Sequence, residues 1–139
     1  MTDYSFTRNS QITEQQILNL YRSVKWLAYL QHPQNTLAAI ANSTVLWATV
    51  DGQLIGLIRG VTDGHTILYV QDLLVDPTYQ KQRVGTTLMK KMLAHYQNVG
   101  QTVLITDSEE RTRKFYESLD FLQITPQTYG RAFVLERRF

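Results

Sequence analysis

Apolar residues along this chain change their spacing several times, and each change marks an expected element. Tyr4-Ser5-Phe6-Thr7 alternates ring and hydroxyl side chains, the two-residue period of a short strand. From Thr13 the period lengthens. Ile17, Leu20, Tyr21, Val24 and Leu27 recur every three or four residues behind Thr13-Glu14-Gln15-Gln16, which has the Thr-x-x-Gln form of a capping box. This predicts an amphipathic helix that frays near Trp26. His32-Pro33 interrupts, because the residue before proline avoids helical angles, and Thr36 to Ala41 reads as a second short helix. Trp26 and Tyr29 are thereby expected at a helix–helix corner.

The middle of the chain turns to strand patterning. Thr44 to Val50 and Leu54 to Val61 flank Asp51-Gly52, a strong hairpin signal because both central positions tolerate positive φ. A second turn at Asp63-Gly64 leads into a long β-rich run, Thr66 to Val75, so three consecutive antiparallel strands are expected. Val84 to Tyr96 restores helical spacing, with Leu88, Met92 and Leu93 on one face and Gly100 soon after. Thr102 to Thr106 reads as a buried strand, Glu109 to Leu119 as a helix, and Phe121 to Ile124 and Arg131 to Arg137 as two final strands. The expected order is β, α, α, β, β, β, α, β, α, β, β.

Composition narrows the class. With 139 residues, 43% hydrophobic and 19% charged, the chain suits one globular domain over 1–139 with a real core. Cysteine is absent, which excludes disulfide scaffolds, thiolate metal sites and a cysteine nucleophile. His32, His65 and His95 lie on different elements without metal-ligand spacing, so no metal is expected. A net charge of +2 makes no bulk case for nucleic acid. Met1 to Ser10 lacks the apolar core of a signal peptide, and no apolar run approaches the roughly 20 residues of a membrane span. The expectation is a cytoplasmic protein with no membrane partner.

The stretch with most chemical content runs from Val75-Asp76-Pro77 through Gln80-Lys81-Gln82-Arg83-Val84-Gly85-Thr86-Thr87. A strand breaks there at a proline turn and restarts as a helix. The start of a helix leaves N–H groups without intrahelical partners and carries partial positive charge, which makes it an anion cradle. Gly85, Thr86 and Thr87 keep the backbone approachable, and Lys81 and Arg83 add full charges.

Gln80-Lys81-Gln82-Arg83-Val84-Gly85 resembles the Gln/Arg-x-x-Gly-x-Gly/Ala pyrophosphate loop of the GCN5-related N-acetyltransferases, the GNAT family. Lys114-Phe115-Tyr116-Glu117-Ser118-Leu119-Asp120-Phe121 is similar to that family's Phe-Tyr-Glu-Lys-Leu-Gly-Phe segment. The two lie about 30 residues apart, each in its expected setting, and together are far more specific than either alone. Ser23-Val24-Lys25-Trp26 and Gln71-Asp72-Leu73-Leu74-Val75 also look like segments of small bacterial members. The resemblance spans almost the whole chain. It implies an α/β fold with a central mixed, mostly antiparallel sheet flanked by about four helices, and acetyl-CoA as cosubstrate. Three departures stand out: Arg83 where the family usually has glycine, Asp120 in place of another glycine, and Glu109 where many members have a cofactor-contacting Asn.

Acetyl transfer from a thioester to an amine needs a neutral amine, a polarised carbonyl and a proton for the departing thiolate. By resemblance, backbone N–H groups of Leu73, Leu74 and Val75 line the pantetheine and hold the acetyl oxygen, while residues 80–87 and Phe115 hold the rest of the cofactor. Tyr116 is the implied general acid, since an unperturbed phenol is protonated at neutral pH. Its alternative is ordinary packing beside Phe115.

For the general base the candidate is Asp72, an unfavourable residue inside a strand. Two other readings stay open: Asp72 as a residue bonded to nearby backbone or facing solvent, and a water chain in place of a dedicated base. Trp26, Tyr29 and Tyr129 are the candidate walls of the acceptor pocket, suited to an amine on an apolar or aromatic body or to a cation stacked on rings. Tyr21 reads as core. Arg113 and Lys114 are either a solvated helix face or phosphate contacts. Arg137-Arg138-Phe139 is either a fraying end or an edge in a possible homodimer. The expected acceptor is a small-molecule amine or a peptide N-terminus or lysine. The competing expectation from another class is a non-catalytic acyl-CoA-binding or sensor module of the same fold.

Overall fold

The computed structural model describes residues 1–137, which form two compact units, 1–104 and 105–137. The first unit carries β1 (Thr2–Ser5), α1 (Glu14–Ser23), α2 (Ala28–Gln31), α3 (Pro33–Ala41), β2 (Thr44–Val50), β3 (Gln53–Thr62), β4 (Ile67–Val75), a 3-10 turn (Pro77–Tyr79), α4 (Val84–His95) and β5 (Gln101–Leu104). The second carries α5 (Glu110–Glu117). Arg138 and Phe139, and with them the expected terminal edge, lie outside the described residues.

The sheet follows chain order, β1-β2-β3-β4-β5, antiparallel except for the parallel β4–β5 pair. It is therefore mixed and mostly antiparallel, with helices on it. The hairpin at Asp51-Gly52 forms with positive φ at both residues, as the turn chemistry requires. α1 packs on β3 and β4, and α4 packs on β2, β3 and β4. A core of Ile12, Ile17, Leu20, Tyr21, Leu37, Ile40, Val45, Trp47, Leu54, Leu57 and Leu74 lies between α1, α3 and the sheet. Burying each such side chain is worth about 1.5–3 kcal/mol. On α4, Val84, Leu88, Met89 and Met92 are buried. Gly56 lets α4 sit close: a Cβ there would stand 2.9 Å from the Leu74 carbonyl oxygen and 3.5 Å from Val84 and Leu88 side-chain carbons.

Two helix ends aim side chains. Thr13 caps α1 through its hydroxyl, accepting from the Gln16 N–H. At the other end Trp26 N–H donates to Tyr21 O and Lys25 N–H to Arg22 O, with Lys25 at φ 63°. This is a Schellman closure built on a left-handed lysine. It swings the chain into α2, an extra short helix that the sequence reading did not separate from the corner. α3 begins at Pro33, three residues before the expected start, because proline suits the first helical turn.

In the second unit, α5 closes the same way. Phe121 N–H donates to Tyr116 O, Asp120 N–H to Glu117 O, and Asp120 takes φ 70°, the left-handed position expected of the family's glycine. The two strands expected at Phe121–Ile124 and Arg131–Arg137 do not form: residues 121–137 contain a turn at 126–129 and no strand. A strand exists only through pairing of its backbone. Leu122, Phe133, Val134 and Leu135 are accordingly exposed.

Candidate active site

Strand β4 has two different edges. Its β3 side is paired from Leu68 to Val75, with Gly56 opposite Val75 and Arg59 opposite Asp72, except at Gln71, which the register shift leaves without a partner. Its β5 side is paired only from Ile67 to Val70, opposite Gln101 to Leu104. Past Val70 no strand among the described residues pairs with that side of Gln71, Asp72, Leu73, Leu74 and Val75. A strand side without a neighbouring strand leaves peptide groups able to pair with an extended ligand.

The open edge runs directly into the cradle. Asp76 accepts from Thr78 N–H and opens the 3-10 turn, and Gln80 Nε2 donates back to the Val75 carbonyl at 3.1 Å, stapling the loop to the strand end. Lys81 and Arg83 both adopt left-handed angles, φ 67° and 64°. Arg83 is the N-cap of α4 and makes no side-chain cap, so the first N–H groups of the helix, from Val84, Gly85 and Thr86, have no intrahelical acceptor. Thr87 is engaged with its N–H and hydroxyl on the Arg83 carbonyl. Gln80, Lys81, Gln82 and Arg83 are exposed, and Val84 anchors the turn in the core. An uncapped helix start beside two cations fits an anionic ligand.

Within the first unit, Asp72, Tyr29 and Trp26 come together. Asp72, at 1% exposure, is buried among donors. Its Oδ2 accepts from Arg59 Nε at 2.6 Å and Tyr21 Oη at 2.7 Å, and its Oδ1 from Tyr29 Oη at 2.6 Å. Arg59 reaches on to Ser43, and Gln71 Nε2 donates to Tyr29 Oη at 3.1 Å. Burial first, then the Asp72 charge and hydrogen bond, drive the Tyr21 phenol far above its ordinary range; burial and the Asp72 hydrogen bond raise Tyr29. Trp26 stacks on Tyr29 with centroids 6.1 Å apart, and Tyr21 and Tyr29 lie 4.9 Å apart. Tyr21 is core in position yet polar in function. Arg59 escaped the sequence reading, although an arginine in a strand otherwise apolar from Leu54 to Val61 was a visible signal.

In the second unit, Tyr116 lies on α5, half-buried, its ring edge-on to Phe115 at 5.0 Å and Phe121 at 5.7 Å. Burial, then the charge of Asp107, raises its phenol above the ordinary value. Arg113 is bound within the helix to Glu110 and Glu117, and Glu109 pairs with Arg111 at 3.4 Å. Tyr129 is 61% exposed and ends the turn at 126–129, its N–H donating to the Thr125 carbonyl. Among the described residues no group of three His, Cys, Asp or Glu is placed to hold a metal ion, and no helix is long and apolar enough to cross a membrane.

Comparison with known proteins agrees with this geometry. A GNAT-family acetyltransferase from Streptococcus pneumoniae is 28% identical and superposes with TM-score 0.74, covering 99% of this chain and 96% of its own. A putative GNAT acetyltransferase from Xanthomonas campestris, 21% identical, has TM-score 0.77 over 96% of this chain and 94% of its own. A histone acetyltransferase of Glycine max is 34% identical over 71 residues, which are 50% of this chain and 30% of that protein. The match thus spans under a third of the soybean protein's length. The sequence profile described as the acetyltransferase (GNAT) family matches residues 14–121. Open strand edge, uncapped helix start and profile coincide on one stretch of backbone, and the chain belongs to the GNAT family of acetyltransferases.

Proposed function

We propose that the protein is an acetyl-CoA-dependent N-acetyltransferase that acetylates a primary amine of a small molecule or peptide by direct transfer. The observation that carries this reading is the unpaired side of β4 over Gln71–Val75 leading into the uncapped start of α4. The peptide groups of Leu73, Leu74 and Val75 would hold the pantetheine and the acetyl oxygen. The N–H groups of Val84, Gly85 and Thr86, with Lys81 and Arg83, would hold the pyrophosphate, and Phe115 is the remaining cofactor contact carried by the resemblance. Acetyl-CoA supplies an activated acyl group; the protein's part is to hold it, to bring up the amine and to manage one proton on each side of the reaction.

Tyr116 is the proposed proton donor to the thiolate. Its raised phenol stays protonated throughout the neutral range. With the phenol raised by burial and the Asp107 charge, full proton transfer to a thiolate, whose ordinary value is about 8.5, is uphill, so its contribution is a hydrogen bond to the developing thiolate, followed by proton exchange with solvent. Asp72 has both oxygens occupied by donors, and this favours deprotonation of the amine through water, with Asp72 acting on the acceptor side through its partners. Trp26 and Tyr29, with Tyr129, are the proposed walls for an amine on an apolar or aromatic body.

The test is an acetyl-CoA turnover screen over polyamines, amino acids, aminoglycosides, arylamines and short peptides. Turnover of at least one class, lowered in Tyr116→Phe with acetyl-CoA binding retained, is the expected result. Tight acetyl-CoA binding without turnover across the panel would favour the sensor reading instead.

A further inference from the structure

Strand β4 is paired to β3 in two registers that differ by one residue. From Leu68 to Val70 its partners are Thr62, Val61 and Gly60; from Asp72 to Val75 they are Arg59, Ile58, Leu57 and Gly56. Each end is fixed locally. At the turn, Asp63 accepts from the N–H groups of His65, Thr66 and Ile67, and the Thr62 hydroxyl donates to the Ile67 carbonyl at 2.6 Å. At the far end Asp76 N–H donates to the Ile55 carbonyl at 2.8 Å. Between these ends β4 carries one residue more than β3, and the place where that residue falls is set by the side chains between them.

It falls at Gln71, and Asp72 is the reason. If the turn-side register ran on, Gln71 would stand opposite Arg59 and Asp72 opposite Ile58. A one-residue slip sends a side chain to the other face of the sheet. Ile58 is fully buried and shares its face with Gly56, against which Val84 and Leu88 pack. Asp72 would therefore carry its charge into apolar surroundings, away from its donors. In the observed register the carboxylate meets Arg59, Tyr21 and Tyr29 at 2.6, 2.7 and 2.6 Å. A buried charge left unpaired is strongly destabilising, so this network holds the bulge on the turn side of Asp72.

The position of the bulge matters to the open edge. Val70 is the last residue of β4 paired with β5, and the bulge follows at the next residue; bulges characteristically end pairing in this way. Peptide groups alternate between the two sides of a strand, so each residue that the bulge passed would turn its N–H and C=O to the other side. We propose that Arg59 and Asp72 are positioning residues for the cofactor: paired across the strands, they keep the extra residue at Gln71 and so keep the peptide groups of Leu73, Leu74 and Val75 in the phase that holds acetyl-CoA. This rests on the acetyltransferase reading of the same edge and deepens it, giving Asp72 a role through the backbone rather than as a base.

The test separates the strand edge from the phosphate cradle. Calorimetry measures binding of acetyl-CoA and of ADP, which carries the pyrophosphate of CoA but no pantetheine, and cross-strand nuclear Overhauser contacts read the register of β3 against β4. In Arg59→Leu/Asp72→Leu/Tyr21→Phe neither a charge nor the Tyr21 hydroxyl is left unpaired, and apolar replacement of a buried ion pair is often neutral for stability. A leucine at position 72 suits either face, so the register is no longer held. The variant is expected to fold, to lose the contact between positions 59 and 72, and to bind acetyl-CoA about 10-fold or more weakly, the worth of one or two hydrogen bonds. ADP affinity should stay within about twofold of wild type, because the cradle is a separate site. Should that variant fail to fold, Asp72→Asn keeps the volume and removes the charge; it is expected to weaken acetyl-CoA about 3- to 10-fold with ADP unchanged. Acetyl-CoA affinity within about twofold of wild type in the folded variant overturns the inference, as does parallel loss of both ligands or an intact contact between positions 59 and 72 in the triple variant. A wild type that binds acetyl-CoA but acetylates no amine would count against the enzyme reading alone.

Discussion

Arg59 Nε lies 2.6 Å from Asp72 Oδ2 across directly paired positions of β3 and β4, both residues under 8% exposed. The pair sits where the register of β3 shifts between Arg59 and Gly60. A bulge adds local twist and re-aims side chains. Here the extra residue is Gln71 of β4, and beside it Asp72 meets both the guanidinium directly opposite and the hydroxyls of Tyr21 on α1 and Tyr29 on α2.

Removing one partner of that pair should be costly. Asp72→Ala would leave Arg59 buried without its counter-charge, and a loss of about 3–5 kcal/mol is expected. Tyr21→Phe removes a single donor from the carboxylate and should cost about 1–3 kcal/mol. Urea unfolding measures both. A change under about 1 kcal/mol for Asp72→Ala would show that the network adds little.

The cradle carries two side-chain residues at left-handed angles, Lys81 and Arg83. Such a conformation costs an L-residue roughly 1–2 kcal/mol, part of which glycine returns through unfolded-chain entropy. Arg83→Gly should therefore raise stability by at most about 1 kcal/mol. If the guanidinium reaches a phosphate, the same variant should weaken CoA about 10-fold and leave pantetheine unaffected. Parallel loss of both ligands would assign Arg83 to loop shape instead.

Gly56 lets α4 approach β3, and any side chain there meets a backbone carbonyl at 2.9 Å. Gly56→Ala should cost about 1–3 kcal/mol as overpacking. It should also weaken CoA, because displacing Val84 moves the start of α4. Thermal melts with CoA titration test this, and unchanged CoA affinity in a destabilised variant would separate the helix position from the site.

Tyr116 supplies a prediction about pH. Its phenol is raised, so the protonated form persists through the ordinary value near 10 and the proposed acid is not lost below it. Between pH 6 and 9.5, kcat/KM should climb as the amine sheds its proton and should not turn down. Tyr116→Phe should lower kcat roughly 10-fold or more without changing that shape. A descending limb below pH 9 that the variant abolishes would contradict it.

Asp63 ties the β3–β4 turn, its carboxylate accepting from the Thr66 hydroxyl and the N–H groups of His65, Thr66 and Ile67. These bonds, the Thr66 hydroxyl first, depress its pKa. The stability they confer is present above the unfolded carboxylate value and is lost as pH falls below about 4 toward the lower folded value. Asp63→Ala should reduce this acid sensitivity, measurable as a smaller fall in melting temperature between pH 5 and 2.5.

Much of the architecture was legible from local pattern. The Thr13 cap, the Asp51-Gly52 turn, the β2 limits and the start of α4 at Val84 depend on residues within a few positions of one another. The final strands were misread because β-prone spacing at Phe121–Ile124 and Arg131–Arg137 does not by itself supply the backbone pairing that makes a strand, and none of residues 121–137 forms one. α2 was missed because a four-residue helix has almost no periodicity to detect.

By itself the sequence determined the alternation of elements, the loop that starts α4 and the candidate residues Asp72, Trp26, Tyr29 and Tyr116, since each signal is carried by neighbours in the chain. Only the tertiary structure decided that β5 stops pairing at Val70 and that Asp72 is enclosed by Arg59, Tyr29 and Tyr21, 13, 43 and 51 positions away. Where a strand loses its neighbour, and which donors a buried carboxylate meets, depends on how distant segments pack. No local spacing encodes it.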